Sequence, residues 1–290
     1  MAVGRGDRLS SSAERLDLGV VRRRWGPERD VRTDKPGEGA SADAGELPQV
    51  LTVGSGRQRI AIGFNAALAL PWLRALSAHW ATTVVDLPGQ PGLSDPHRPR
   101  RARLGWYGRA LDEILAAMGA DGIVLVGNSL GAAVALAANS PRITARALIS
   151  PAGFIRLSVD PRLALASAVW LLRPTAEHTR RMLRLFVSPG ADPPETEVEW
   201  MALMATCCRT TLAPPPLPAG LLARRAERPC VVGVGEHDRF LPAHRLAAAA
   251  RRTMNLDVRV FQGVGHLTTP AHLDEIVALV AEVVDPPDRP

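Results

Sequence analysis

The stretch IVLVGNSLGAAVALAA, residues 123–138, decides the fold of this chain. Its first four residues are apolar and mostly β-branched, which is typical of a buried strand, and its second half has helical character. Between the two lies GNSLG, residues 127–131, a Gly-x-Ser-x-Gly motif. At a strand-to-helix junction this motif is a nucleophile elbow, a tight turn that exposes a serine hydroxyl. We therefore predict that Ser129 is a nucleophile and that the backbone N–H of Leu130 stabilises an oxyanion.

The pattern around the elbow predicts an α/β fold. Strand-like and helix-like segments alternate on both sides of it, and such alternation favours a doubly wound, mostly parallel sheet. Ligands of such sheets bind at the carboxyl ends of the strands, where Ser129 is predicted to lie. The predicted strands are 50–53, 59–63, 82–86, 122–126, 145–150, 230–234 and 258–261, and the predicted helices are 68–80, 107–118, the segment after Ser129, 242–252 and 270–284.

Composition divides the chain into three parts. Residues 1–47 are rich in charge, Gly and Ser and predict a loose N-terminal extension. Residues 48–153 and 223–290 carry the alternating pattern of the α/β core. Residues 154–222 hold apolar helical segments broken by prolines, which predicts an inserted helical cap.

Bulk properties indicate a soluble globular protein. The chain has 290 residues, enough for one large α/β domain, and its apolar runs are shorter than a membrane span. The N-terminus lacks the apolar segment of a secretory signal, so we expect a cytoplasmic protein. Three cysteines, two of them adjacent, fit neither a disulfide framework nor a zinc site. We expect no metal and no cofactor.

The positive charge of the chain does not by itself indicate a nucleic-acid partner. The net charge is +6, but nearly all basic residues are arginines scattered in short groups. No aromatic residues that could stack on bases are interleaved with them. A solvated basic surface is therefore favoured over a nucleic-acid interface.

Two further loops carry the residues that a serine nucleophile needs. A serine hydroxyl requires an imidazole to accept its proton and a carboxylate to orient that imidazole. Asp238 lies in the loop after the strand at 230–234, and His266 follows two glycines in the loop after the last strand. The order Ser129, Asp238, His266 is the one this architecture uses, so we predict a catalytic triad. Glu236 is a second-choice acid.

These residues resemble the α/β-hydrolase family, and the resemblance covers residues 49–284. Within the family, the sequence is similar to serine hydrolases of actinobacteria that are usually described as carboxylesterases. The segments that carry the resemblance are DLPGQPGLS at 86–94, VGNSLG at 126–131, GEHD at 235–238 and GH at 265–266.

The resemblance also implies a second oxyanion donor, from the loop after the strand at 59–63. The family commonly marks this loop with His-Gly, whereas this chain has Ile62-Gly63. Because the donor is a backbone amide, Phe64 can supply it, with Asn65 as second choice. Residues that we expect to line a substrate pocket are Asn65, Trp170, Phe186, Trp200 and Met204.

The expected function is hydrolysis of a small apolar substrate without a cofactor. The apolar cap favours a carboxylic ester, or a thioester, of a small to medium apolar acyl group, cleaved through an acyl-enzyme. Hydrolysis of an amide, a lactone or a carbon–carbon bond and perhydrolysis stay open, as does a ligand-sensing protein that retains the triad. An epoxide hydrolase or dehalogenase is disfavoured, because those relatives carry Asp at the position of Ser129. The sequence does not indicate the oligomeric state.

Overall fold

A sheet of seven strands forms the centre of the molecule in the computed structural model. The strands are β1 (Val50–Val53), β2 (Arg59–Ile62), β3 (Ala81–Val85), β4 (Ile123–Asn128), β5 (Ile143–Ile149), β6 (Cys230–Gly235) and β7 (Val258–Phe261). Their order is β1-β3-β2-β4-β5-β6-β7, with β1 antiparallel to β3 and every other pair parallel. The predicted doubly wound, mostly parallel sheet is therefore confirmed.

The structure describes residues 50–53, 59–62, 68–91, 94, 97–208, 213 and 215–284. The predicted N-terminal extension lies outside these ranges. So do Phe64 and Asn65, the two residues predicted for the second oxyanion donor.

Helices cover both faces of the sheet. They are α1 (Leu70–Ser77), α2 (Arg103–Met118), α3 (Leu130–Ala137), α4 (Pro161–Leu172), α5 (Ala176–Leu183), α6 (Glu195–Cys207), α7 (Ala219–Arg225), α8 (Ala243–Met254) and α9 (Leu273–Val284), the last preceded by a 3-10 turn at Pro270–His272. None of these described helices combines the length and apolar character that crossing a membrane requires.

Alternating side chains of β4 show how the sheet builds two apolar layers. Ile123 and Leu125 belong to the cluster that includes residues of α2, α3 and α8, whereas Val124 and Val126 belong to the cluster with α1 and α9. Successive side chains of a strand point to opposite faces, so a continuous apolar run is what a strand covered on both sides requires.

The order of the strands reverses beside β4. After β2 the chain forms β3, which pairs with one edge of β2. The next strand, β4, pairs with the opposite edge of β2. A reversal of this kind opens a crevice at the carboxyl ends of the strands, where ligands of open α/β sheets bind. Ser129 directly follows β4 and so lies at this crevice.

Helices α4, α5 and α6, which we call the three-helix insertion (residues 161–207), pack beside one another in chain order. Asp160 begins α4 by accepting the backbone N–H of Leu163 at 2.9 Å, with Pro161 in the first turn. The insertion has a small core of its own, made of Leu163, Met182, Leu183, Phe186 and Val198.

The ends of the predicted cap pack differently from its middle. Phe154 and Leu222 are buried in the main core, and α7 packs against α3 and α8. The predicted segment 154–222 thus contains the three helices together with flanking residues that belong to the layers around the sheet.

Two buried arginines satisfy the carboxyl end of α3. Arg146 donates to the carbonyls of Ala135 at 2.9 Å and Ala138 at 3.1 Å, and Arg225 donates to the carbonyl of Leu136 at 2.8 Å. The last carbonyls of a helix have no partner within it, so these bonds complete the helix that begins at the elbow.

Candidate active site

The backbone of Ser129 is held in a conformation that few residues adopt. Its φ is 48° and its ψ is −111°, outside the regions that L-residues favour. Its N–H donates to the carbonyl of Ile149 at 3.0 Å, and its carbonyl accepts from Ala133 at 3.3 Å and Ala152 at 3.1 Å. These three bonds fix the strained turn and leave the side chain at the end of the strand.

Gly127 permits this turn. A Cβ at this position would lie 2.6 Å from the backbone N and Cα of Ala132, a distance that real side chains do not reach. Leu130 begins α3, and the first amides of a helix have no acceptor within it. Its N–H is therefore able to donate to an anion at the positive end of the helix dipole.

Three side chains from separate loops form a chain of hydrogen bonds. His266 Nε2 lies 3.1 Å from Ser129 Oγ, and His266 Nδ1 lies 2.8 Å from Asp238 Oδ2. With the proton on Nδ1, the imidazole donates to the carboxylate and Nε2 accepts from the serine hydroxyl. Asp238 is 3% exposed and His266 is 8% exposed. The three residues predicted from sequence thus lie together in the geometry of a serine, a base and an orienting acid.

Asp238 is ionised in spite of its burial. Burial opposes its charge most strongly, but hydrogen bonds from His266, from the Leu241 amide and from the Ser150 hydroxyl, with the attraction of the His266 charge, hold the pKa of Asp238 below its ordinary value of 3.8. Its Oδ1 accepts the backbone N–H groups of Phe240 and Leu241, both at 2.9 Å. A carboxylate is therefore present to fix the tautomer of His266 at neutral pH.

Ser150 is a residue of the site that the sequence analysis did not identify. It directly follows β5, is 1% exposed and has a positive φ of 43°. Its N–H donates to the carbonyl of Gly233 at 2.8 Å, and its side chain helps to lower the pKa of Asp238. A polar residue immediately after a buried strand was the available signal, because Ser129 occupies the same kind of position.

Glu236, the second-choice acid, connects two loops. Its carboxylate accepts the backbone N–H of Gly263 at 2.9 Å, and its own N–H donates to the carbonyl of Phe261 at 2.9 Å. The next residue, His237, donates its backbone N–H to Val264 at 2.8 Å. These bonds hold the loop of Asp238 beside the loop of His266.

Phe240 connects the triad to the three-helix insertion. Its ring centroid lies 4.9 Å from that of His266, nearly edge to face, and 4.7 Å from that of Phe186. The N–H of Leu267 donates to the carbonyl of Phe186 at 2.8 Å, and the N–H of Ser158, which precedes the insertion, donates to the carbonyl of Phe240 at 2.8 Å. The insertion therefore contacts the loops of both the base and the acid.

The other predicted pocket residues lie farther along the insertion. Trp170, on α4, packs half-buried against the core of the insertion, and its Nε1 has no partner among the described atoms. Trp200 and Met204 are half-buried on α6, where their neighbour Met201 is the residue that packs against that core.

No cluster of three or more His, Cys, Asp or Glu side chains that could hold a metal ion occurs within the described ranges. The site as described consists of the triad, the Leu130 amide and the apolar contacts of Phe240 and Phe186.

Comparison with known proteins identifies the class. The model of the alpha/beta hydrolase family matches residues 54–282, so the chain belongs to this family. No curated protein matches the sequence.

Solved structures share the fold at low sequence identity. A carboxylesterase from Bacillus subtilis superposes with a TM-score of 0.63 at 18% identity, covering 84% of this chain and 89% of that chain. A meta-cleavage product hydrolase from Pseudomonas fluorescens has a TM-score of 0.63 at 20% identity, covering 82% and 93%. An esterase from Exiguobacterium antarcticum has a TM-score of 0.62 at 17% identity, covering 83% and 97%.

Proposed function

We propose that the protein is a serine hydrolase that cleaves a carboxylic ester, or a thioester, of a small to medium apolar acyl group through an acyl-enzyme. The observation that carries the proposal is the hydrogen-bonded chain from Ser129 through His266 to Asp238. The carboxylesterase and the esterase among the structures of the same fold support an ester as the substrate.

Acylation begins when Ser129 Oγ attacks the carbonyl carbon while its proton moves to His266 Nε2. Asp238 keeps the Nδ1–H of the imidazole in place and stabilises the imidazolium that forms. The N–H of Leu130 and, from the predicted loop, that of Phe64 donate to the oxyanion, at about 3 kcal/mol each. When the intermediate collapses, His266 gives the proton to the departing alcohol or thiol.

Deacylation repeats these steps with water. His266 Nε2 accepts a proton from a water molecule, whose oxygen attacks the acyl carbon bound to Ser129 Oγ. The carbon–oxygen bond to serine then breaks, Ser129 recovers its proton from His266, and the carboxylic acid leaves. No cofactor enters either half of this reaction.

The insertion supports an apolar acyl group. The side chains that it brings toward the triad are aromatic or aliphatic, with Phe186 packed on Phe240 beside His266. Charged residues of α5 pair with one another or with neighbouring acids, as in the bond from Arg180 to Glu195 at 2.6 Å. An apolar acyl chain is favoured where the surface beside the reacting groups is apolar.

The three cysteines, Cys207, Cys208 and Cys230, are free thiols. Free thiols are typical of proteins in reducing compartments, which supports a cytoplasmic location for this activity.

Labelling and turnover test the function together. The wild-type chain is expected to react with a fluorophosphonate probe at Ser129 and to hydrolyse p-nitrophenyl esters, and the Ser129→Ala variant is expected to do neither. An acyl series from acetate to dodecanoate then gives the preferred chain length from kcat/KM. Full turnover by Ser129→Ala would overturn the assignment.

The alternatives differ in the outcome of the same assays. Lactone, amide and carbon–carbon substrates are run at matched concentrations, because the same triad can serve those reactions and one structure of the fold is a meta-cleavage product hydrolase. A ligand-sensing protein would acylate once and then stall, so sustained turnover after the first equivalent of product argues for the esterase.

A further inference from the structure

Helix α4 presents an apolar face to the solvent. Seven large hydrophobic side chains are exposed among the described residues, and four of them lie on α4 or directly before it. Leu172 is 82% exposed, Leu165 is 67% exposed, Val159 is 59% exposed and Leu171 is 41% exposed. The inward face of the helix buries only Leu163 fully. A surface helix normally places charged or polar residues outward. Exposed apolar side chains grouped on such a helix are typical of an interaction site.

Helix α8 of the same molecule shows the usual arrangement. It also has 12 residues, but its exposed positions include His244, Arg245, Arg251 and Arg252, while Leu246 is buried. The two helices have equal length and opposite outward chemistry. The apolar face of α4 is therefore a local property and does not follow from the composition of the chain.

The apolar face is bounded by positive charge. Leu165 and Leu172 are seven residues apart, which places them on one side of the helix. Arg162 lies one turn before Leu165 and Arg173 directly follows Leu172, and both arginines are exposed. None of the ion pairs within the described part of the chain involves either arginine. The one acidic residue between 159 and 173 is Asp160, which pairs with Arg239 at 3.0 Å.

We propose that this side of α4, defined by Leu165 and Leu172 with Arg162 and Arg173 and flanked by the exposed Val159 and Leu171, binds peripherally to an anionic phospholipid surface. Apolar side chains enter the boundary between headgroups and acyl chains, and arginines beside them pair with lipid phosphates. A second copy of the chain fits the charges less well. Two α4 helices packed antiparallel would bring Arg162 of one copy beside Arg173 of the other, and the nearby acid, Asp160, is already paired with Arg239 of its own copy.

Binding at a membrane goes beyond the proposed hydrolase activity. It would hold the three-helix insertion, which contacts the loops of His266 and Asp238, at the surface where apolar esters accumulate. Vesicle binding requires no turnover, so the proposal stands or fails independently of the enzymatic function.

Sedimentation with vesicles tests the proposal on the full chain. One set of vesicles contains phosphatidylcholine and phosphatidylglycerol in equal amounts, and the other contains phosphatidylcholine alone. The wild-type protein is expected to partition at least about tenfold more strongly onto the anionic vesicles, with the difference reduced by 0.5 M salt. The Arg162→Glu, Arg173→Glu variant is expected to lose about fivefold or more per arginine on anionic vesicles.

Leucine variants separate the apolar contribution from the charge. The Leu165→Ser, Leu172→Ser variant is expected to bind anionic vesicles at least about tenfold more weakly, with an unchanged melting curve because both side chains are exposed. Leu70→Ser, at a residue that is 40% exposed on α1, is the matched control and keeps wild-type binding.

Three results would overturn the proposal. They are equal binding of the wild-type protein to both kinds of vesicle, wild-type binding by the double leucine variant, and a wild-type dimer in light scattering that the leucine substitutions convert to a monomer. The last result would assign the face to a second copy.

Discussion

The core around the sheet and the three-helix insertion are stabilised in different ways. The core buries two large apolar clusters, one on each face of the sheet, and every residue of the triad follows one of its strands. The apolar core of the insertion consists of five buried residues, and α4 and α6 each contribute one of them. The core therefore positions the three residues that we propose as catalytic, while the insertion has a small core and leaves apolar surface exposed.

From this difference we expect the core to carry the reacting groups and the insertion to select the substrate. Substitutions in the core are expected to lower turnover for every substrate, because they move or remove reacting groups. Substitutions in the insertion are expected to act through its contact at Phe186 or to change which acyl group is accepted.

Ser129→Ala removes the attacking oxygen and is expected to lower kcat for every p-nitrophenyl ester by about 10⁵-fold or more. The residual rate reflects binding and oxyanion stabilisation alone. The melting temperature is expected to stay close to that of the wild type, because the backbone bonds to Ile149 and Ala133 do not involve the side chain. A reduced effect on one ester and not another would contradict the role of Ser129 as common nucleophile.

Asp238→Asn is expected to lower kcat by about 10⁴-fold, because an amide does not fix the Nδ1–H tautomer of His266. Glu236→Gln is the matched control, two residues away in the same loop. Its side chain accepts the N–H of Gly263, and a Gln oxygen can retain that bond, so kcat is expected to change by less than about threefold. An equal loss of kcat in both variants would show that any change in this loop impairs activity, and it would contradict a specific role of Asp238 in orienting His266.

The triad could be predicted from the sequence because each of its members follows a strand. In addition, the glycines of Gly-x-Ser-x-Gly permit the tight strand-to-helix turn that exposes the serine. Strands from Val50 to Phe261 were located close to their observed bounds, since apolar runs between turn residues are local signals. The antiparallel direction of β1 was not predictable, because direction depends on where the chain returns to the sheet and not on the residues of the strand.

Arg146→Met tests whether the core depends on a buried cation. The substitution leaves the carbonyls of Ala135 and Ala138 without their donors, which is expected to lower the free energy of unfolding by about 3 kcal/mol. Burial lowers the pKa of Arg146 to about 10, and its Nη1 has no partner among the described atoms, so relief of the buried charge offsets part of the loss. Chemical denaturation measures the difference. Arg252→Met, at an exposed residue of α8, is the control and is expected to change stability by less than about 0.5 kcal/mol.

Phe186→Leu tests the contact between insertion and triad. Loss of the ring beside Phe240 loosens the support of His266, so kcat is expected to fall about tenfold with KM little changed. Leu203→Ala, at a residue that is 61% exposed on α6, is the control and is expected to retain wild-type kinetics. A change in KM and chain-length preference without a change in kcat would instead assign Phe186 to the pocket wall.

The sequence does not predict which side chains of one loop form hydrogen bonds with another loop. Glu236 and Asp238 are both acids in one loop, and only the fold shows that Glu236 bonds to Gly263 while Asp238 meets His266. The contacts of Ser150 and Phe240 could not be predicted from the sequence, because they are made with segments distant along the chain. The exposed face of α4 was equally hidden, since an apolar helix in a sequence is normally interpreted as buried.

The smallest effect is on stability at low pH, where the buried carboxylate of Asp238 and the half-buried carboxylate of Asp112 are expected to respond in opposite directions. Because the pKa of Asp238 is below 3.8 in the folded protein, its contribution to stability is present above that value and is lost as the pH falls through the folded pKa. Burial raises the pKa of Asp112 against the bonds from Asn139 and Ser140, so its contribution is largest at low pH and declines as the pH rises through its folded pKa. In denaturation experiments between pH 6 and pH 3 (about two units above and one below the ordinary value), the stability of wild type relative to Asp238→Asn is expected to decrease with falling pH. The stability of the wild type relative to Asp112→Asn is expected to increase as the pH falls. An increase in the first difference would contradict the lowered pKa of Asp238, and a decrease in the second would contradict the raised pKa of Asp112.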